Sequence, residues 1–191
     1  NDATIEAPQG FLETNEEGKP YQATFTGRAK IKLKDRRIEG DKITVNISNQ
    51  VVRAYGNTLS ELKDKKNIPI TIASDFQELF WSGEDANATG NIRATYMDTV
   101  ISSDEAKIVY KNKKPYQAIF TGTKQKANLE QPNNVTSANR FIFDINTQNL
   151  EARDNVISVI WPDEKKTKEE QPPIHLTANE LFIDQETSTI T

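Results

Sequence analysis

Thirteen consecutive residues, 21 to 33, alternate strictly between apolar or small side chains and polar ones. A period of two is the spacing at which successive side chains of an extended chain point to opposite sides, and a helix does not share it. This segment is therefore predicted to be a β-strand with one buried face and one face in water. The positions on the apolar face are Tyr21, Ala23, Phe25, Gly27, Ala29, Ile31 and Leu33.

The same alternation recurs along most of the chain. It appears at Ile43, Val45 and Ile47, and again at Ile68, Ile70 and Ile72. Gly, Asn, Asp or Pro lies between most of the predicted strands, which is typical of an all-β sandwich or barrel. Further strands are predicted at 88–97, 99–103, 106–111, 116–124, 139–146, 149–153, 155–161, 174–178 and 181–184.

Two segments depart from this pattern. Residues 58–67 are the best helical candidate, with Thr58 as a cap and Leu59 and Leu62 on one side of one or two turns. Residues 162–173, PDEKKTKEEQPP, are charged and end in two prolines, so we expect a solvated loop.

The chain also repeats itself. KPYQATFTG at 19–27 returns as KPYQAIFTG at 114–122, residues 38–54 resemble 136–152, and 69–76 more weakly resemble 173–181. These matches define a unit of about 95 residues, with repeats at 19–110 and 114–191. A repeat of this kind favours a protein that extends one surface over an enzyme with one active site.

Composition removes several function classes. The chain has 24 basic and 28 acidic side chains and no cysteine, so we expect no nucleic-acid partner, no disulfide and no thiolate chemistry. No catalytic or phosphate-binding motif is present, and the single histidine, His175, is predicted to lie on the surface. Residues 83–87, GEDAN, are more typical of a solvated turn than of a calcium loop. We therefore expect no enzyme, no cofactor and no metal.

The ends of the chain suggest an origin in a longer precursor. The sequence begins at Asn1 rather than at a methionine and contains no apolar run of the length that crosses a membrane. We expect that any signal peptide or membrane anchor was removed or never existed.

Two further features each allow two interpretations. The polar face at Arg28, Lys30, Lys32 and Lys34 could contact anionic groups such as lipid phosphates, but protection of an exposed edge strand is favoured. The apolar faces could close into an ordinary core or leave an open groove for acyl chains, and the residues alone favour neither.

A family signature appears at residues 88–110, ATGNIRATYMDTVISSDEAKIVY. It resembles the OstA-like periplasmic proteins of lipopolysaccharide transport, in which a Gly-Asn-Val-type strand leads to an Asp-x-x-x-Tyr strand. Here the matching residues are Gly90, Asn91, Ile92, Asp104 and Tyr110, with two more residues between the last two than in the tightest form.

A second stretch, residues 25–56, is similar to the family as well. Its matching residues are Gly27, Ile38, Asp41, Ala54 and Gly56. The resemblance covers most of 19–155 and, more faintly, 173–191. The chain departs from the family at Ser137-Ala138-Asn139, which replaces an aspartate-bearing turn, and in the inserts at 57–67 and 162–172.

The resemblance implies an elongated antiparallel β-jellyroll, an open twisted sandwich, as a single domain over 1–191. It implies a periplasmic carrier or bridge whose interior holds the lipid A acyl chains of lipopolysaccharide. Its partners would be other jellyroll domains joined by edge-strand pairing, an inner-membrane ABC transporter complex and an outer-membrane barrel. The resemblance is compatible with three kinds of family member: an LptA-like bridge, an LptC-like partner anchored in the inner membrane, or a jellyroll of a larger member.

From alternation and resemblance together we predict a lipid-binding groove. The residues assigned to it are Phe25, Ile31, Ile43, Val45, Ile72, Ile92, Tyr96, Ile108, Phe120, Phe141, Phe143 and Leu176. Two alternatives stay open: a closed β-repeat scaffold or adhesin, and a carbohydrate-binding module with Trp81, Trp161, Tyr96 or Tyr110 as stacking platforms.

Overall fold

The computed structural model describes residues 4–33, 36–64, 66–80, 85–161, 172–184 and 189–190. These residues form fifteen strands and no helix. The strands are β1 (Thr4–Glu6), β2 (Gln9–Thr14), β3 (Pro20–Leu33), β4 (Arg36–Asn46), β5 (Val51–Lys63), β6 (Pro69–Phe80), β7 (Ala86–Tyr96), β8 (Thr99–Lys111), β9 (Lys114–Thr121), β10 (Ala127–Gln131), β11 (Asn134–Ala138), β12 (Arg140–Asp144), β13 (Leu150–Ile160), β14 (Ile174–Asp184) and β15 (Thr189–Ile190).

All fifteen strands belong to one antiparallel sheet that follows the chain as a meander. Strands β9 and β10 both pair with β8, and β11 and β12 both pair with β13, so each of these two pairs acts as one interrupted strand. Strands β1 and β2 lie side by side along the outer edge of β3. The predicted all-β, antiparallel fold class is confirmed.

The molecule is elongated rather than spherical. It exposes 11911 Å² of surface, whereas a compact monomer of 21.6 kDa exposes about 9,200 Å². A rolled sheet with two free edges accounts for this excess, and the architecture is that of an elongated β-jellyroll.

A line of β-bulges crosses the sheet through the middle of its long strands. The pairing shifts at Thr26/Ala29, Tyr55/Thr58, Thr89/Ile92 and Arg153/Val156. At each shift two consecutive residues have positive φ angles, such as Gly56 (68°) with Asn57 (45°). Bulges bend and twist a strand, so we call this line the crease, because the sheet folds in two along it.

The crease explains why glycine is needed at particular points. A side chain at Gly56 would lie 2.7 Å from Asp41 Oδ2, and the φ of 68° is itself unfavourable for other residues. Asp41 in turn accepts a hydrogen bond from Asn57 Nδ2 at 2.8 Å. Asp75 and Asn91 repeat this contact at the next bulge, also at 2.8 Å.

Asp104 holds the crease together where the interrupted strand β9–β10 lacks a bulge. Its Oδ2 accepts the backbone N–H groups of Thr123 and Lys124, both at 2.7 Å, and that of Gln125 at 3.4 Å. Hydrogen bonds from the Lys124 and Thr123 backbone lower the pKa of Asp104, because they favour the charged carboxylate.

The residues equated by the predicted repeat have the same register in the sheet. Phe25 lies opposite Ile43, which lies opposite Ala54. In the second unit Phe120 lies opposite Phe141, which lies opposite Ala152. These corresponding residues therefore have the same pairing, and the repeat itself stays a prediction.

Three sequence predictions need correction or lie partly outside the described residues. The predicted helix at 58–67 is wrong, because Thr58, Ser60 and Leu62 continue the alternation of β5 and pair with β6. The predicted loop at 162–173 lies outside the described residues, except for its last two. Of the acidic turn at 83–87, the first two residues also lie outside them.

The basic strand β3 is not a bare edge. Strands β1 and β2 cover its outer side, Lys30 pairs with Glu39 at 3.6 Å, and Lys32 pairs with Glu6 at 3.1 Å. The expectation that its lysines guard an exposed edge is therefore wrong, since β1 and β2 cover this edge and the charges of Lys30 and Lys32 meet carboxylates of neighbouring strands. His175, as predicted, is exposed.

Candidate ligand-binding groove

A cavity of about 400 Å³, lined mostly by apolar side chains, lies between the two folded halves of the sheet. Residues from both sides of the crease line it, including Ile101 and Ile108 from the same strand, β8. The cavity therefore exists only because β8 and its neighbours fold back on themselves. Its volume is within the range of small-molecule sites.

Two walls enclose this cavity. The first wall consists of the strand halves that carry Leu62, Ile70, Ile72, Ala94, Tyr96 and Ile101. The second wall consists of those that carry Ile108, Ala118, Phe120, Phe143, Ile145 and Leu150. Almost all of these side chains are hydrocarbon, so the cavity suits an apolar ligand and offers little to a polar one.

The cavity reaches the surface along the side where hairpin turns end each wall, which we call the mouth. Met97 and Pro132 lie at turns of the first wall, and Gln148 lies at a turn of the second. Met97 is 61% exposed although it lines the cavity, so the apolar space is in contact with solvent. The cavity is thus partly open to solvent at Met97.

Tyr96 bridges the two walls across the mouth. Its hydroxyl donates to Asp64 Oδ2 at 2.8 Å and accepts from Gln148 Nε2 at 2.7 Å, and its ring lies 5.5 Å from that of Phe143. Burial and the hydrogen bond to Asp64 raise the pKa of Tyr96 to about 12. Tyr96 therefore remains neutral, and able to donate, at all physiological pH values.

Asp64 is the acceptor that positions Tyr96. Burial alone would raise its pKa, but hydrogen bonds from the Ile68 backbone, the Tyr96 hydroxyl and the Lys66 backbone more than offset this and lower it. The carboxylate is thus held ionised in the turn after β5, where it accepts hydrogen bonds from three donors.

A second bridge crosses the mouth further along. The Arg36 guanidinium lies 5.7 Å from the centre of the Tyr110 ring, and its Nη1 is 3.5 Å from the Tyr110 hydroxyl. Below this bridge lies a smaller cavity of about 40 Å³ that shares Leu62, Ile72 and Ile108 with the large one. The two cavities are therefore neighbours, with these three side chains common to their walls.

Five of the predicted groove residues line the large cavity: Ile72, Tyr96, Ile108, Phe120 and Phe143. Ile92 and Phe141 are buried in the same core without lining it. Ile31, Ile43 and Val45 form a separate core cluster, against which Phe25 packs, and Leu176 is half-buried on β14.

Sequence reasoning missed several residues that line the groove. Ile70, Ala94, Ala118 and Ile145 are each two positions from a predicted residue, so continued alternation could have found them. Leu62 was missed because its segment was assigned to a helix. Met97, Pro132 and Gln148 lie in turns, where no periodicity exists to identify them.

The alternatives find little support at this site. Trp161 is 43% exposed, but Tyr96 and Tyr110 are held in the two bridges, and Trp81 lies outside the described residues. A buried hydroxyl cluster, Thr136 and Ser158, bonds to Asn134 Oδ1 at 3.0 and 2.9 Å, and an amide oxygen is not the base that a nucleophile requires.

No group of three or more His, Asp or Glu side chains in the described part of the chain is placed to hold a metal ion. Within the same residues, no helix long and apolar enough to cross a membrane is found.

No protein-family model matches the chain, and no curated protein does either. Among solved structures, the chain is similar to the crystal structure of LptH, the LptA homologous periplasmic component of the conserved lipopolysaccharide transport device from Pseudomonas aeruginosa. The match has a TM-score of 0.43 and 10% sequence identity, and it covers 93% of this chain and 94% of the other.

Proposed function

We propose that this protein is a non-enzymatic periplasmic carrier that holds the acyl chains of lipopolysaccharide in its groove and passes them from the inner toward the outer membrane. The observation that carries the proposal is the apolar cavity of about 400 Å³ that opens at the mouth. A closed scaffold would have filled this volume with side chains, because protein interiors are close-packed.

Acyl chains fit the groove for a simple thermodynamic reason. Each methylene that leaves water for an apolar site is stabilised by about 0.8 kcal/mol. The walls offer this environment without any group that reacts, so the protein can bind and release a lipid but cannot drive it in one direction. Direction must come from an energy-consuming partner, for which the family resemblance implies an inner-membrane ABC transporter complex.

The free edges of the sheet support a second part of the proposal, end-to-end pairing with other jellyroll domains and with an outer-membrane barrel. Leu12 on β2 lies opposite the buried Ala23 and so faces the interior, yet it is 56% exposed. The interior is therefore uncovered at this end. A strand added to this edge would extend the apolar interior as well as the sheet.

Photo-crosslinking tests lipid binding directly. Benzoylphenylalanine in place of Phe143, inside the groove, is expected to capture lipopolysaccharide in cells that make it. The matched control is the same residue at Glu105, exposed on the opposite face of β8. Capture at Glu105 but not at Phe143 would show that lipid does not enter the groove.

Sedimentation tests edge pairing separately. Leu12→Asp should reduce concentration-dependent association, because it places a charge on the uncovered interior face. Ile157→Asp, on the exposed side of the inner strand β13, is the control. Equal association of both variants and the unmodified protein would exclude pairing through this edge.

A further inference from the structure

We propose that five lysines at the mouth, Lys63, Lys66, Lys111, Lys113 and Lys114, bind the phosphate groups of an anionic lipid headgroup while its chains occupy the groove. We call these five residues the lysine rim. This inference rests on the proposed function and deepens it, because it restricts the ligand to amphiphiles with negative charge next to the acyl chains.

Strand pairing and one contact bring the two halves of the rim together. Lys63 follows Leu62, which lies directly opposite Arg36 on the neighbouring strand. Arg36 contacts Tyr110 across the mouth, and Lys111 follows Tyr110. The turn after β5 and the β8–β9 hairpin therefore flank the same part of the mouth from opposite walls.

The rim borders the apolar cavities directly. Leu62 lines both cavities, and Tyr110 lines the smaller one. The lysines next to these two residues are exposed and are the last residues of β5 and β8, so they lie in water at the ends of the strands that wall the cavities. Cationic strand ends beside an apolar interior are complementary to a lipid with an anionic headgroup.

No lysine of the rim forms a salt bridge within the described residues, whereas Lys30, Lys32 and Lys107 on the strands each pair with a carboxylate. Two rim charges have weaker partners: Lys66 attracts the Asp64 carboxylate, and Lys111 Nζ lies 5.5 Å from the centre of the Tyr116 ring. Three acidic groups lie nearby, and two of them have other partners. Asp64 accepts three hydrogen bonds and Asp85 pairs with Lys107 at 2.6 Å, whereas Glu61 lies opposite Arg37, whose guanidinium pairs with Glu39.

The β8–β9 hairpin concentrates like charges at a cost to its own stability. Lys111 lies directly opposite Lys114, and like charges in this position destabilise a strand pair. Lys113, in the turn between them, has a φ of 62°, which a lysine adopts unfavourably. A bound anion would relieve the repulsion, which gives this arrangement a physical reason.

The ligand is a lipid headgroup rather than free phosphate. Lysines on flexible stems supply charge without the rigid fork or oriented backbone N–H groups that hold a small anion by themselves. Their attraction becomes effective when the acyl chains fix the phosphate at the mouth, because the second contact is then intramolecular.

Binding of two detergents with the same chain tests the proposal. Below their micelle concentrations, dodecyl phosphate and dodecyl maltoside would be titrated against the unmodified protein, the rim variant K63Q/K111Q/K114Q and the control K42Q/K124Q/K126Q. The control removes the same charge from three lysines at the crease, on the side of the sheet opposite to the mouth. Urea unfolding should show that the rim variant has about the same stability as the unmodified protein, because it loses both the Lys111–Lys114 repulsion and the contact of Lys111 with the Tyr116 ring.

We expect the rim variant to bind dodecyl phosphate about tenfold more weakly, as the loss of one charge-assisted contact predicts. Its affinity for dodecyl maltoside, and the control's affinity for both, should be unchanged. Equal weakening in the control, or no weakening in the rim variant, would overturn the proposal. Saturable binding of inorganic phosphate alone at comparable affinity would assign the rim to free anions instead and also overturn it.

Failure of the proposed function would be distinguishable. If the unmodified protein bound neither detergent, the groove itself would not be a lipid site. If it bound both equally and the rim variant did the same, the groove would stand and only the lysine rim would be rejected.

Discussion

At the scale of single residues, Tyr96 connects the two walls of the groove. Its hydroxyl joins the turn after β5 to the turn before β13, two segments that are more than 80 residues apart in the chain. Its ring packs on Phe143 inside the cavity. The same side chain thus limits the width of the mouth and forms part of the apolar wall.

Tyr96→Phe should reduce the free energy of unfolding by about 1 kcal/mol, since two hydrogen bonds are lost while the ring remains. Asp64 keeps its backbone donors, which limits the loss. Urea denaturation measures the change, and Tyr21→Phe is the control because Tyr21 is exposed and its hydroxyl makes no hydrogen bond within the described residues. Equal stability of both variants would mean that the bridge contributes nothing.

The contribution of Tyr96 to stability should also depend on pH in the alkaline range. The pKa of Tyr96 is raised from 10.0 to about 12 in the folded state, so the unfolded chain loses this proton first as the pH rises. The stability due to neutral Tyr96 is complete below pH 10 and is lost toward pH 12. The difference in unfolding free energy between the unmodified protein and Tyr96→Phe should therefore shrink over this interval.

The bulge at the crease requires glycine at position 56. Gly56→Ala places a methyl group 2.7 Å from Asp41 Oδ2 at a φ of 68°, whereas Gly18→Ala, at a φ of 76°, meets no atom within 4 Å. The Gly18 variant should lose about 1 kcal/mol from backbone strain, and the Gly56 variant should lose at least about 1 kcal/mol more. Thermal unfolding would compare them, and equal losses would show that the contact with Asp41 relaxes freely.

At the scale of elements, the folded strand is the unit that makes the site. Each long strand contributes one half to each wall, and the bulge between the halves supplies the bend. The residues that form the bulges, such as Gly56-Asn57, Gly90-Asn91 and Asp154-Asn155, are those that tolerate positive φ. They were available in the sequence as turn signals, and their role inside continuous strands was not predicted.

Asp104 should be essential for the order of the crease between β9 and β10. In Asp104→Ala the amides of Thr123, Lys124 and Gln125 lose their acceptor, so their hydrogen exchange should accelerate. Amides in β13 provide the internal control and should not change. Because the pKa of Asp104 is lowered in the folded state, this contribution is present above the ordinary carboxyl pKa and is lost as the pH falls through the folded value.

At the scale of the whole molecule, the groove divides the interior. The described residues have two core clusters joined by cavities rather than one continuous packed interior. A larger side chain should therefore fit into the groove, where it would reduce ligand binding, whereas in the packed core it would reduce stability.

Ala118→Leu and Ala152→Leu make the same change at two buried interior positions. Ala118 lines the cavity and Ala152 does not. Ala118→Leu should weaken detergent binding severalfold with little loss of stability, whereas Ala152→Leu should cost about 1–3 kcal/mol by overpacking. Dodecyl maltoside titration and urea unfolding measure both effects. Equal destabilisation would indicate that the cavity is not available to side chains.

Much of the fold could be predicted because alternation is a local property. Phe25, Ile43 and Phe120 were placed on inward faces from a period of two, and the structure pairs them with inward residues of neighbouring strands. The segment around Leu62 was wrongly predicted to be helical, because a short polar segment with two leucines resembles one helical turn. Only the pairing of β5 with β6 shows that it is a strand. Residues of the mouth lie in turns, where no local pattern specifies which wall they approach.

The sequence by itself determined which side of each strand is apolar, since that depends only on the order of neighbouring residues. It also determined the points at which the backbone can bend, because glycine and asparagine accept positive φ wherever they occur. Only the tertiary structure decided that the bends align into one crease, that the two walls meet through Tyr96 and Arg36, and that lysines from two distant hairpins flank one mouth. Those contacts join residues far apart in the chain, and their distances are set by the packing of the whole sheet rather than by any local preference.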